Sequence, residues 1–141
     1  MRDRDEAPPP VLGESVVVRR FPAHPSALHA IREFVCDQAV EAALPTEVAI
    51  DLALAVSEAG SISVCQTNSS SIEVAWRSEA DRVEISLTDD GVYFADASLR
   101  RPESMGIALI KALVDDFDFR EGTELSPGSH LRLVKLRSAG L

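Results

Sequence analysis

Two short alternating runs constrain the fold more than any other feature. Ile72, Val74 and Trp76 alternate with Glu73, Ala75 and Arg77, and Val83, Ile85 and Leu87 alternate with Glu84, Ser86 and Thr88. A period of two places each apolar set on one face of a strand. The stretch 79–82 between them reads as a turn, so the runs pair as a hairpin with one apolar face. Such a face has to be covered by a second layer.

Helical patterns supply that layer. Leu28, Ile31, Val35, Ala39 and Ala42 recur at spacings of three and four behind Ser26, which reads as an N-cap, and Pro45 closes the segment. Thr46 is the next N-cap candidate. It opens a helix to about residue 64 with Ala49, Leu52, Val56 and Ala59 as its stripe; Ala53 and Ala55 keep much of its remaining surface small. Gly60, Ser61 and Ser63 weaken the pattern near its end. A third helix starts near Met105, with Ile107, Ile110, Leu113 and Val114 as its core face. Val16, Val17 and Val18 suit a first strand over 14–21, stopped by Pro22 and Pro25. Phe117 and Phe119 begin another, and Leu131 and Leu133 share a face of the last, over 130–137. The order β-α-α-β-β-loop-α-β-β does not alternate as a doubly wound sheet does. It predicts an α+β fold: a two-layer α/β sandwich whose mixed, mainly antiparallel sheet carries its helices on one face.

The chain of 141 residues has room for one such domain. It is expected over 14–137, after a mobile arm at 1–13 containing Ala7-Pro8-Pro9-Pro10 and before a short tail at 138–141. A net charge of −9 argues against nucleic acid and against an anionic membrane surface as partners. No apolar run reaches about 18 residues, and the charged start lacks a secretory h-region. Two separated cysteines, Cys36 and Cys65, make neither a disulfide framework nor a zinc site, and point to free thiols in the cytoplasm. His24, His29 and His130 are too scattered for a triad or a metal site.

The irregular stretch 89–104 is where chemistry can sit. It begins after a strand at Asp89-Asp90-Gly91 and ends at a helix start, Ser104-Met105-Gly106-Ile107. A strand-end carboxylate accepts hydrogen bonds from an exocyclic amine, and a helix start offers free N–H groups to phosphate. Together they outline a nucleotide pocket with a lid between its halves. Taken singly, Asp-x-Gly is also an ordinary turn. Glu58, between Ser57 and Ala59, is placed either as a general base or as a solvated helical carboxylate.

The order Glu58, Asp89-x-Gly91, Met105-Gly106-Ile107 and Gly128-Ser129 resembles the ATP-binding domain of the GHKL (histidine-kinase-like ATPase) superfamily. Within it the chain looks like the small bacterial anti-sigma factors that are also serine kinases. Arg20-Phe21-Pro22-Ala23 and the run from Gly106 to Asp116 extend the resemblance over about 14–137. It implies a histidine-kinase-like ATPase fold, Glu58 as the catalytic base, and ATP as cofactor. It also implies Asp89 against the adenine amine, Gly91 and Gly106 as motif glycines, and Ser129 in place of an adenine-holding threonine.

Three positions depart from the family pattern. Ile62 stands four residues after Glu58, where the family has a metal-binding asparagine; isoleucine offers no oxygen to Mg²⁺, so no metal site is expected. Tyr93 and Ser104 stand where the family has glycines, and Asn68 lies ten residues past Glu58, too far along to replace the asparagine. The resemblance therefore implies a regulator that binds a sigma factor, an anti-anti-sigma protein, or both, with weak or no kinase activity, as a homodimer formed near the first strand. Two alternatives remain: an active serine/threonine kinase acting on an anti-sigma antagonist, and a nucleotide or small-ligand sensor on the same fold.

Overall fold

The computed structural model describes residues 15–92 and 105–137. The arm, the tail and the stretch 93–104, with Tyr93, Arg100, Arg101 and Ser104, lie outside the described residues. Strand β1 (Ser15–Pro22) leads into helices α1 (Ala27–Glu41) and α2 (Thr46–Gln66). The hairpin β2 (Ser71–Ser78) and β3 (Arg82–Asp89) follows, then α3 (Met105–Leu113), β4 (Asp116–Arg120) and β5 (His130–Leu136). The element order is the one read from the sequence.

The five strands form one sheet in the order β1-β2-β3-β5-β4, and every neighbouring pair is antiparallel. The expected mainly antiparallel sheet is thus antiparallel throughout. Strands β3 and β4 run parallel to each other with β5 inserted between them, so the connection through α3 is a split crossover.

The alternation in β2 and β3 decides which face is covered. On the helix side Val74 stands opposite Leu87 and Trp76 opposite Ile85, with Ile72 opposite Asp89 and Val83 opposite Ser78; these apolar side chains are all nearly inaccessible. Leu131 and Leu133 continue that face through β5. Against it lie Ile31, Phe34 and Val35 of α1, Leu52, Val56 and Ile62 of α2, and Ile107 and Ile110 of α3. Trp76 is core. The opposite face carries polar side chains such as Glu84, Ser86 and Arg132, which pairs with Glu84 at 3.3 Å and Asp118 at 2.7 Å.

Details of the helix ends differ from the sequence reading. Ser26 does occupy the N-cap position, but in αR conformation, with its hydroxyl on His24 Nδ1 at 2.8 Å rather than on a helix amide. Helix α1 stops before Pro45. The Leu44 N–H donates to Ala39 O and the Ala43 N–H to Val40 O, both at 3.0 Å, with Ala43 at φ 59°. That is a Schellman motif with alanine in the left-handed position glycine prefers. Pro45, not Thr46, is the N-cap of α2, and its carbonyl accepts from Val48 and Ala49. Helix α2 has 21 residues and is long and apolar enough to cross a membrane by length and composition alone, more than the sequence reading allowed. Here Leu52, Val56 and Ala59 of α2 are buried in the domain core.

Candidate functional site

The period of two that fills the core also carries a charge into it. After Val83, Ile85 and Leu87, the next inward position of β3 is Asp89, only 5 % exposed. An ionised carboxylate there needs hydrogen bonds to offset lost hydration. Asp89 Oδ1 accepts from the Gly91 N–H at 3.0 Å and the Ser129 N–H at 2.9 Å. Asp89 Oδ2 accepts from the Ser63 hydroxyl at 2.6 Å and the Ser129 hydroxyl at 2.5 Å. A carboxylate has about four lone-pair sites, and here each has a donor. Ser129 stands just before β5, and Ser63 lies four residues after Ala59 on the buried stripe of α2.

The backbone around this carboxylate is tightly layered. A Cβ on Gly91 would come within 2.6 Å of the Ser69 amide nitrogen, so only glycine fits there. Gly128, at φ 96°, donates to Gly91 O at 2.7 Å. Residues 67–71 form a strap across the strand end. The Thr67 hydroxyl donates to Ser63 O at 2.6 Å. Asp90 takes the Ser70 and Ser71 N–H groups on Oδ1 and the Ser70 hydroxyl on Oδ2. That hydroxyl holds the Asp90 carboxyl below its ordinary value of 3.8; burial opposes it, and the Ser70 and Ser71 amides assist. Asn68 pairs with Val92 in both directions, its side-chain oxygen accepting from the Val92 N–H at 2.8 Å. Its amide oxygen is thus used within the strap.

Glu58 lies on the other side of α2, half-buried. A Cβ on Gly106, in the first turn of α3, would sit 3.2 Å from Glu58 Oε1. The carboxylate thus faces a helix start, where free N–H groups and the helix dipole favour negative charge. Its neighbour Ser57 accepts from Arg32 Nη1 at 2.9 Å. Ile62 is 5 % exposed and belongs to the core cluster. Magnesium does not fit here, because the side chain four residues past Glu58 is hydrocarbon packed among hydrocarbon. Among the described residues no three His, Cys, Asp or Glu side chains gather as a metal site.

The structure therefore brings Asp89, Gly91 and Ser129 into direct contact, and separately brings Glu58 beside Gly106. It leaves Asn68 in the strap. The sequence reading did not single out Ser63, Thr67, Ser70 or Asp90 as partners. Ser63 was readable: a hydroxyl on a buried helical stripe needs a partner, and the alternation of β3 points Asp89 inward. A wide cleft of about 1020 Å³ opens at the other end of the sheet, between β1, the end of α1 and the hairpin turn. It is lined by Val17, Trp76 and Arg137, with the acids Asp37, Glu41 and Glu79.

The family model described as histidine kinase-like ATPase domain matches residues 21–135. A crystal structure of the RsbU and RsbW domains of a Mycobacterium tuberculosis protein matches with a TM-score of 0.66 at 20 % identity. The match covers 89 % of this chain and 34 % of that one, so the chain spans about a third of that protein's length. At such identity the likeness is one of fold. No curated protein matches the chain.

Proposed function

The chain belongs to the histidine kinase-like ATPase domain family, and on that premise we propose that it is a partner-switching regulator of the anti-sigma type that works by binding. It holds a sigma factor and exchanges it for an anti-anti-sigma protein. The observation that carries this reading is Ile62, buried in the core where phosphoryl transfer needs a metal-binding side chain. Glu58 adds to it: a triphosphate arriving at the start of α3 meets a carboxylate already in place. Without a bridging cation the phosphates are not drawn in for transfer, and nucleotide binding rests on the base. The fold shared with about a third of a chain that carries RsbU and RsbW domains supports the partner class.

In this reading the Asp89 end is the seat of a purine base, with Gly91 and Ser129 shaping it and Gly106 opening the helix beyond. The nucleotide is a metal-independent ligand that tunes partner binding. Two free thiols, Cys36 and Cys65, suit a reducing cytoplasm. The protein pairs with a second copy along β1, the edge strand of the sheet among the described residues. The acids Asp37, Glu41 and Glu79 flank the Ser15 end of that strand, and Arg19 and Arg20 stand exposed at the other. An antiparallel two-fold copy sets one protomer's acids against its partner's arginines.

The test is calorimetric titration with ATP and ADP, each with and without Mg²⁺, followed by incubation with a candidate anti-anti-sigma protein. The expected result is binding indifferent to Mg²⁺ and no phosphate on the partner. Tightening by Mg²⁺, with phosphoserine formed, overturns the binding-only reading in favour of the kinase.

A further inference from the structure

We infer that Ser63 weakens and retunes the base seat by occupying the Asp89 oxygen that a purine amine needs. This rests on the reading of the Asp89 end as the seat of a base. The four donors on Asp89 are not equally movable. The two on Oδ1 are backbone N–H groups of Gly91 and Ser129. Both belong to a strand end fixed by the Gly128–Gly91 and Asp89–Ser129 backbone bonds. On Oδ2, Ser129 is tied by its own amide to the same carboxylate.

Ser63 is different. Its carbonyl is pinned by the Thr67 hydroxyl, but its own hydroxyl is a rotor. In a helix that hydroxyl has a second acceptor, the carbonyl four residues back, here that of Ala59. A ligand amine reaches Asp89 Oδ2 only by turning Ser63 away. The serine is therefore an internal competitor for the oxygen, and a specificity-determining residue. Removing its hydroxyl frees a lone pair, which only a hydrogen-bond donor can use. A purine with an exocyclic amine gains from that. A carbonyl oxygen at the same ring position is an acceptor and gains nothing there.

The experiment titrates ADP and IDP, without metal, into wild type, Ser63→Ala and Ser63→Cys, with a urea midpoint for each protein. Ser63→Ala should bind ADP about tenfold more tightly. Ser63→Cys, whose thiol is a weak donor, should gain less. IDP affinity should stay constant across all three, while the urea midpoint of Ser63→Ala falls. A purely structural serine would lower the midpoint and leave the ADP/IDP ratio untouched, and that result overturns the inference. So does equal tightening for both nucleotides. In either case the base-seat reading survives. If no variant binds either nucleotide at millimolar concentration, both readings fall. The cysteine variant carries the comparison should the alanine variant not fold.

Discussion

Ser129 donates both of its polar hydrogens to Asp89, the N–H to Oδ1 at 2.9 Å and the O–H to Oδ2 at 2.5 Å. The Asp89 N–H returns a bond to Ser129 O at 3.0 Å. Three hydrogen bonds thus join two residues 40 positions apart in the chain. They lock the end of β3 to the start of β5, beside the candidate site.

The first prediction follows from the donors that converge there. Asp89→Ala removes the acceptor of two hydroxyls and two backbone N–H groups at a nearly buried site. Orphaned buried donors cost about 1–3 kcal/mol each where water does not reach them, and partial relaxation leaves a net loss of about 3 kcal/mol or more. Ser129→Ala removes one hydroxyl donor and should cost about 1–2 kcal/mol. Urea unfolding measures both. A loss under about 1 kcal/mol for Asp89→Ala would mean the carboxylate does not organise this end of the sheet.

Ile62→Asn is the substitution that restores the family's residue, and the structure says it should fail. Ile62 is a core side chain, so asparagine there buries an amide among hydrocarbon and loses packing. The expected cost is about 3 kcal/mol, a fall in Tm of about 10 °C for a chain this size. No phosphoryl transfer should appear. Transfer from Mg-ATP to a protein serine by this variant would show that the side chain turns out of the core to meet a metal.

How much of this was legible in the sequence depends on whether the signal was periodic. The alternations through Trp76 and Leu87 fixed the inward face of β2 and β3, and the helical stripes through Val35 and Val56 fixed what covers it. Those patterns arise because burial has the period of the element. The end of α1 was harder. A Schellman turn is announced by glycine, and Ala43 stands there instead, so Pro45 was the visible stop signal although the chain had already turned. The site was legible in part. Asp89, Gly91 and Ser129 came from motif order and do meet in space. That Ser63 needs a partner was readable from its place on the buried stripe of α2, but that the partner is Asp89, 26 positions away, comes only from tertiary contact.

Ala43 itself gives a third prediction. A non-glycine residue at φ 59° in a helix C-terminal turn carries a steric cost that glycine does not. Ala43→Gly should therefore raise stability by about 0.5–1 kcal/mol, even though glycine loses more entropy on folding. A midpoint that falls in urea would show that the αL position is not strained enough to outweigh that entropy.

The strap gives a pH-dependent prediction. Asp90 is held below its ordinary value of 3.8, chiefly by the Ser70 hydroxyl. A carboxylate whose folded value is depressed contributes stability above its unfolded value, and that contribution is lost as pH falls through the folded value. The group is exposed, so solvent screening keeps the effect small. The stability difference between wild type and Asp90→Asn should thus be widest above about pH 4 and shrink toward pH 3. Ser70→Ala should flatten the same acid limb. Parallel pH profiles for wild type and both variants would remove any role for this contact.

The last prediction concerns the proposed pairing of two copies along β1. Glu41 lines the cleft at the Ser15 end, and Arg19 stands in the second half of the strand. In an antiparallel copy paired along the whole strand, Arg19 falls beside the partner's Val17, which lines the same cleft as Glu41, and the proposed contact occurs twice. Exposed ion pairs contribute little singly, about 0.2–1 kcal/mol. Two symmetric contacts turned repulsive should raise the dimer dissociation constant about fivefold or more. Glu41→Lys and Arg19→Glu should each do so, and the double variant should restore association. Arg19 also lies over the Phe34 ring at 4.9 Å, so its variant needs a thermal melt alongside to separate lost folding from lost pairing. Sedimentation equilibrium at low and moderate salt reads the outcome, since screening should weaken the wild-type dimer and relieve the repulsion in each single variant. If charge reversal at both sites fails to rescue the single variants, the pairing does not run antiparallel along this edge.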